Sequence, residues 1–349
     1  MQFPGYGSYA SNLRPLLTEE NQAKQVIFSN RVHARWGLPA DKKILWTMSD
    51  EKWWHGMVTR TFAKMCPELG VERSSFAVHH KSHIRKVMGY ATVGICFTNS
   101  PELGCTGFAI SLNRCQGYKV CRKTTKEVTK NKVTGRNESK NNAVKNKKGD
   151  LVLMDCNVTG TDTGTPSNPK FALKGLWEDC LLPQLDALVA ENGPCAGAVV
   201  CHQEDNAGPH KEGNFHSWLE AEFQKRNWQL ELQTPQGPYT NVLDLQLFPA
   251  MSKRHSTLLQ LYSDAEASKD KTWRVAKQVW NNCSSAMISR AFIHAFRIMR
   301  KIVEDKGDNS WLATGAPHCN VRQDFVDTND GIKPRVQLPV FAVEESPYW

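Results

Sequence analysis

Short apolar runs alternate with longer stretches at helical spacing along this chain of 349 residues, the order expected of an α/β protein. Ala23 to Arg35 reads as a helix that stops before Gly37 and Pro39. Lys43 to Trp54, Gly89 to Phe97 and Phe108 to Leu112 read as three strands in series, mostly antiparallel. In the first of them, the two-residue period of a strand sends Trp53 and Trp54 to opposite faces. Leu151 to Asp155 is a further short apolar run, and Phe171 to Val189 has the spacing of an amphipathic helix. That helix feeds the strand Ala196 to Glu204. A helix at Gly213 to Arg226, a short strand at Trp228 to Leu232 and a turn at Thr234 to Pro238 follow. Asn241 then caps a helix, and Thr272 to Val303 is helical with a break near Asn281 and Asn282.

Three of these elements deliver a carboxylate at or just beyond an apolar run. Asp50 follows Ile44 to Met48, Asp205 follows the strand ending in Cys201-His-Gln-Glu204, and Asp244 lies in Thr240-Asn-Val-Leu-Asp-Leu-Gln-Leu-Phe248. The carboxyl edge of the strands is where α/β sheets place their chemistry. Each Asp alone has a plainer reading. A strand-end Asp commonly caps a turn, and Asp244, in the first turn of the helix that Asn241 caps, favours the helix dipole. Asp155 also ends an apolar run and stands as an alternative acid. Glu51 and Glu204 adjoin two of the acids, but strand alternation turns each away from its neighbour's face, which leaves them outside the set. His79, His80 and His83 are close in sequence, with no nearby carboxylate or Cys to complete a metal site.

Composition narrows the field. Between Lys119 and Lys148, nine Lys and two Arg stand against Glu127 and Glu138, so this one segment accounts for the chain's net charge of +9. So local an excess suits either a polyanion contact or a solvated insertion. From Asn113 to Lys148 the Lys, Asn and Thr with few aromatics read as loop or disorder. The eleven Cys are scattered without a CxxC pair, which favours buried free thiols in a reducing compartment over disulfides or structural zinc. No apolar run reaches the roughly 18 residues of a membrane span. Met1 to Ser8 lacks the basic and apolar regions of a secretory signal. GxGxxG, GxxxxGK[ST] and HExxH are all missing, which removes the commonest dinucleotide, P-loop and zincin readings.

Taken in order, Ser49-Asp-Glu-Lys-Trp-Trp54, Gln203-Glu-Asp-Asn-Ala-Gly-Pro-His210 and Pro235-Gln-Gly-Pro-Tyr-Thr-Asn-Val-Leu-Asp244 resemble the three acidic blocks of mariner/Tc1-like DDE transposases. The resemblance is closest to the plant-type mariner branch, whose three acids are all Asp. It runs from about Arg31 to His318, and the 39 positions from Asp205 to Asp244 fit that branch. It implies an RNase H-like α/β domain of the retroviral-integrase kind, a mixed sheet flanked by helices, at about 40–310. An N-terminal remnant at 1–35, a basic insertion at about 113–150 and a Pro-containing tail at 311–349 would complete the chain. By the same resemblance Asp50, Asp205 and Asp244 would ligate Mg²⁺ or Mn²⁺, two ions in all, for nicking transposon ends and transferring strands into target DNA. Asn206, His210 and Asn241 fall at supporting positions of the matching blocks.

Lys52 is an expected contact to double-stranded DNA. So are Lys119, Arg122, Lys123, Lys126, Lys130, Lys132, Arg136, Lys140, Lys145, Lys147 and Lys148. A homodimer in the nucleus, without a membrane partner, belongs to the same expectation. Members of this family carry paired helix-turn-helix modules ahead of the first Asp, whereas 49 residues precede Asp50 here. That difference supports an alternative expectation, an inactive or domesticated transposase-derived DNA-binding protein.

Overall fold

The computed structural model describes residues 17–36, 42–56, 85–121, 125–130, 137–161, 163–211, 214–234, 237–261, 268–309, 324–329 and 331–334. His79, His80 and His83 lie outside them. Helix α1 (Glu19–Trp36) precedes β1 (Lys43–His55), β2 (Lys86–Thr98) and β3 (Thr106–Arg114). Then come β4 (Gln116–Val120), β5 (Thr125–Lys130), β6 (Asn137–Asn146) and β7 (Leu151–Asp155). A composite helix α2 runs through Leu173–Leu176, a π-helical turn at Trp177–Leu181 and Leu182–Val189. It leads to β8 (Val199–Glu204), the short α3 (Gly208–Lys211), α4 (Phe215–Lys225) and β9 (Gln229–Leu232). Helix α5 opens with a π-helical turn, Leu243–Leu247, and continues as Phe248–Leu261. Helices α6 (Lys269–Asn281) and α7 (Ser285–Glu304) and the short strands β10 (Phe325–Asp327) and β11 (Ile332–Pro334) follow.

The main sheet has the order β9-β8-β1-β2-β3. The first three strands pair antiparallel, while β8 runs parallel to both β1 and β9. Parallel neighbours need a crossover, and α2 ahead of β8 and α4 ahead of β9 supply the helices for it. Strand order and directions together are those of an RNase H-like fold, as expected.

Strand β1 is covered on both faces. Ile44, Trp46, Met48 and Trp54 join a core with α1, α5, α6 and α7. Leu45 belongs to a second core, made with Leu176, Trp177 and Leu181 of α2 and Phe215, Leu219 and Phe223 of α4. Trp54 is buried in the first core and Trp53 packs against the second, as strand alternation requires. The sheet therefore lies between two helical layers. One glycine sets the spacing of a layer. A Cβ on Gly107 of β3 would stand 2.5 Å from the Ser285 carbonyl oxygen, while the Gly107 N–H donates to Ser285 Oγ at 2.9 Å. A residue without a side chain lets the start of α7 approach the strand this closely.

Three sequence readings change. The lysine-rich stretch is not structureless, because β4 pairs antiparallel with β7 and β5 with β6, apart from the main sheet. Part of the C-terminal stretch packs on the fold. Strands β10 and β11 pair, Phe325 and Ile332 are buried in the first core, and Cys105 and Ile332 exchange two backbone hydrogen bonds of 3.1 Å. Asp155, the alternative acid, is an anchor. Arg114 grips it with both arms, Nε to Oδ1 at 2.6 Å and Nη2 to Oδ2 at 3.0 Å, and Lys269 Nζ lies 3.1 Å away. Among the described residues no helix is long and apolar enough to cross a membrane.

Candidate active site

Strands β1 and β8 run side by side in the register Ile44↔Val199 to Met48↔Gln203. Carried two residues further, that register sets Asp50 level with Asp205. There β8 ends. Asp205 Oδ1 accepts the Ala207 N–H at 3.0 Å, which turns the chain into α3 and brings His210 back toward the strand ends. Asp244 arrives from the other side, in the π-helical turn that opens α5. Asn241 fixes that turn. Its Oδ1 accepts the Leu243 N–H at 3.0 Å, and its Nδ2 donates to the Ser49 carbonyl at 3.3 Å, one residue before Asp50. The capping role read from sequence is thus joined to a tie between α5 and β1.

The three Asp carboxylates share one electrostatic environment. Burial raises the Asp50 pKa well above the ordinary carboxylate value, and Asp244, Glu51 and Asp205 push it further in the same direction. Asp244 is raised too, chiefly by burial, with a hydrogen bond to Asp50 and the nearby Lys52 charge opposing the rise. Lys52 shares the Asp50 face of β1, and its Nζ lies 5.1 Å from the centre of the Phe248 ring and 5.5 Å from that of Trp54. Burial lowers its pKa, while Asp244 and Asp50 favour its charged form. The residue read as a DNA contact is therefore also an internal counter-charge to the acids.

A second cluster occupies the opposite face. His210 is 1% exposed, with Nε2 3.1 Å from Asp205 Oδ1 and 3.4 Å from Glu51 Oε1, and Nδ1 3.4 Å from Glu204 Oε1. Burial disfavours the imidazolium, yet Glu204 and Glu51 outweigh it and hold the His210 pKa well above its ordinary value. His202 behaves oppositely. It shares a 2.8 Å hydrogen bond with Thr47 and packs on Trp177, and burial with the nearby His210 charge lowers its pKa to about 3. Tyr90, fully buried beside these groups, is pushed up by burial and then by Glu204 and Glu51.

Burial and the neighbouring acids disfavour charge on Asp50 and Asp244, and a bound cation would favour their ionised forms. An oxygen-rich set of this kind suits Mg²⁺ or Mn²⁺. Glu51, Asp205 and His210 each offer one ligand atom within 4.8 Å of the others, a candidate metal-binding group. Sequence reasoning left Glu51 and Glu204 out. The available signal was the parallel register of β1 with β8, which turns Glu51 and Glu204 to the same face, away from Asp50.

Asn206 lies in the turn after Asp205, and its Oδ1 is buried without a hydrogen bond. Of the basic residues, Lys119 is half-buried on β4, and Lys147 and Lys148 are exposed after β6. Lys126 and Lys130 fall on β5, and Lys140 and Lys145 on β6. Arg122, Lys123, Lys132 and Arg136 lie outside the described residues.

No protein-family model and no curated protein matches the chain. Among solved structures it is similar to a Mos1 transposase paired-end complex with the left transposon end, at 14% identity and a TM-score of 0.47, covering 88% of this chain and 67% of that one. It is similar also to the Mos1 mariner paired-end complex with Mn, at 13% identity, the same coverage and a TM-score of 0.47. The catalytic domain of Mos1 mariner transposase matches at 12% identity over 85% of this chain and 98% of that one, with a TM-score of 0.42.

Proposed function

We propose that this chain is a transposase-type catalytic domain that cuts DNA strands and joins the freed ends to target DNA with Mg²⁺ or Mn²⁺. One observation carries the reading. Asp50 and Asp205 stand level where the pairing of two parallel strands ends, and Asn241 ties the turn bearing Asp244 to the carbonyl just before Asp50. Held there by these carboxylates, a pair of divalent ions would activate the attacking water or 3′-hydroxyl and steady the leaving oxygen of an in-line phosphoryl displacement.

The chain's own residues supply the frame. Asp50 projects from a strand buried on both faces, so its position is set by the core. Asn241 stitches the turn bearing Asp244 to the Ser49 carbonyl, which holds the two acids at a fixed separation. Asp205 is held by the Ala207 N–H and by His210. Lys52 offsets part of the charge between Asp50 and Asp244. The substrate is double-stranded DNA, as transposon ends and as target. The lysine-rich strands β5 and β6 add phosphate contacts, and the protein acts as a homodimer in the nucleus.

The test is nicking of plasmid and transposon-end DNA by the purified chain with Mg²⁺ or Mn²⁺, beside Asp205→Asn. Nicking by the wild type alone supports the reading, and nicking by neither refutes it. The charge of β5 and β6 favours a second reading, DNA binding without catalysis, which predicts salt-sensitive binding that Asp205→Asn leaves intact together with every other function.

A further inference from the structure

Asp205 stands where the two clusters meet. On the α5 side are Asp50 and Asp244, an all-oxygen set, and on the α3 side are Glu51 and His210. We infer that Glu51, Asp205 and His210 form a separate, nitrogen-bearing site for a transition-metal ion of the Mn²⁺ class, with Glu204 orienting the imidazole and Asp205 shared with the all-oxygen set. The inference rests on the proposed function only for its all-oxygen neighbour.

The observations come from different parts of the cluster. The three ligand atoms lie within 4.8 Å of one another, close enough to converge on one ion. His210 is buried to 1% exposure and neither of its ring nitrogens makes a hydrogen bond, although Nε2 faces Asp205 at 3.1 Å and Glu51 at 3.4 Å. Glu51 Oε1 is likewise buried without a hydrogen bond. A buried polar group without a hydrogen bond is costly, and two such atoms, His210 Nε2 and Glu51 Oε1, face each other beside Asp205 at a place that an ion would satisfy.

Behind the ring, Glu204 is fully buried with both oxygens free of hydrogen bonds, and its Oε1 lies 3.4 Å from His210 Nδ1. A carboxylate behind one imidazole nitrogen and a metal before the other is the recurring way in which a ligating histidine is oriented. The Tyr90 and Phe215 rings stand 6.5 and 6.4 Å from the imidazole and wall the site.

Donor chemistry then selects the ion. Two carboxylates with one imidazole suit Mn²⁺ and the later divalent metals better than Mg²⁺, which favours oxygen alone. The two halves of the sheet edge thus prefer different ions, and Mg²⁺ should compete with Mn²⁺ on the all-oxygen side and poorly on the histidine side.

The test uses the full chain without DNA, titrated with Mn²⁺ and read by electron spin-echo spectroscopy for imidazole nitrogen coupled to the bound ion. Wild type is expected to show the coupling, which excess Mg²⁺ leaves in place. His210→Gln should abolish it and Asp244→Asn should retain it. Glu204→Gln should keep the coupling while weakening Mn²⁺ binding roughly 10- to 100-fold. Bound Mn²⁺ without nitrogen coupling in the wild type, or no bound Mn²⁺, overturns the inference without recourse to any variant that fails to fold. Failure of the transposase reading shows separately, as absence of nicking while the nitrogen coupling persists.

Discussion

Arg114→Met tests whether Asp155 is an anchor. The Asp155 side chain is 1% exposed, and two hydrogen bonds from Arg114, at 2.6 and 3.0 Å, hold it from β3. Removing one member of a buried ion pair costs about 3–5 kcal/mol, because the remaining charge stays buried. Lys269, 3.1 Å from Asp155 Oδ2 but 41% exposed, stays behind and compensates in part. The expected loss is therefore near the lower end, about 3 kcal/mol, a large share of the roughly 5–15 kcal/mol that holds a domain together. Urea unfolding should show a lower midpoint with an unchanged slope. Adding Asp155→Leu should recover most of the loss, since an apolar replacement leaves no stranded charge, and the double variant should still nick DNA. A loss below about 1 kcal/mol for Arg114→Met, or a double variant no more stable than the single one, would refute the argument.

Asn241→Ala removes a helix cap at a cost of about 1 kcal/mol and also frees the Asp244 turn from β1. Nicking rate should fall roughly 10- to 100-fold at unchanged DNA affinity, measured as kcat against KM. Gly107→Ala places a Cβ against backbone atoms of Ser285 and Ser289 and should cost about 1–3 kcal/mol in urea unfolding. For His202, the folded pKa of about 3 lies below the ordinary 6.5, so the unfolded chain takes up the proton first. Stability is complete above about pH 6.5 and falls by up to about 1.4 kcal/mol per pH unit toward pH 3, a loss that thermal unfolding should show and His202→Gln should reduce. His33, lowered to about 4 by burial and by Arg300, acts with the same sign. Changing Lys126, Lys130, Lys140 and Lys145 to Gln should flatten the salt dependence of DNA binding by up to about 0.9 in log–log slope per lost contact.

The main sheet was readable because burial writes a strong pattern. β1 is apolar on both faces where the cores cover it, and the Trp53–Trp54 pair divides between them as a strand must. Position after an apolar run does not separate Asp50 from Asp155; the resemblance of three ordered blocks to transposase motifs is what selects Asp50, Asp205 and Asp244. Glu51 and Glu204 were dismissed by a rule that is true within one strand and insufficient between two. Each does turn away from the adjacent Asp, but the parallel register turns both the same way, where His210 meets them. Strands β5 and β6 left no trace because Thr125-Lys-Glu-Val-Thr-Lys130 has no apolar face, so backbone pairing alone defines them. Phe325 and Ile332 were missed for a different reason. Two isolated apolar residues make no period, and their burial depends on a surface supplied far earlier in the chain.

The bond pair between Cys105 and Ile332 bears on how this domain can be handled outside its full chain. Strand β3 is the outer strand of the sheet, and bare outer strands recruit strands from other molecules. Here Ile332 occupies the backbone groups at the entrance to β3, and Phe325 covers apolar surface nearby. A recombinant fragment ending at residue 310 would keep every proposed acid yet free the Cys105 backbone groups and uncover the apolar surface that Phe325 and Ile332 pack against. Such a fragment should self-associate with rising concentration, while one extended through Pro334 should stay dispersed in light scattering.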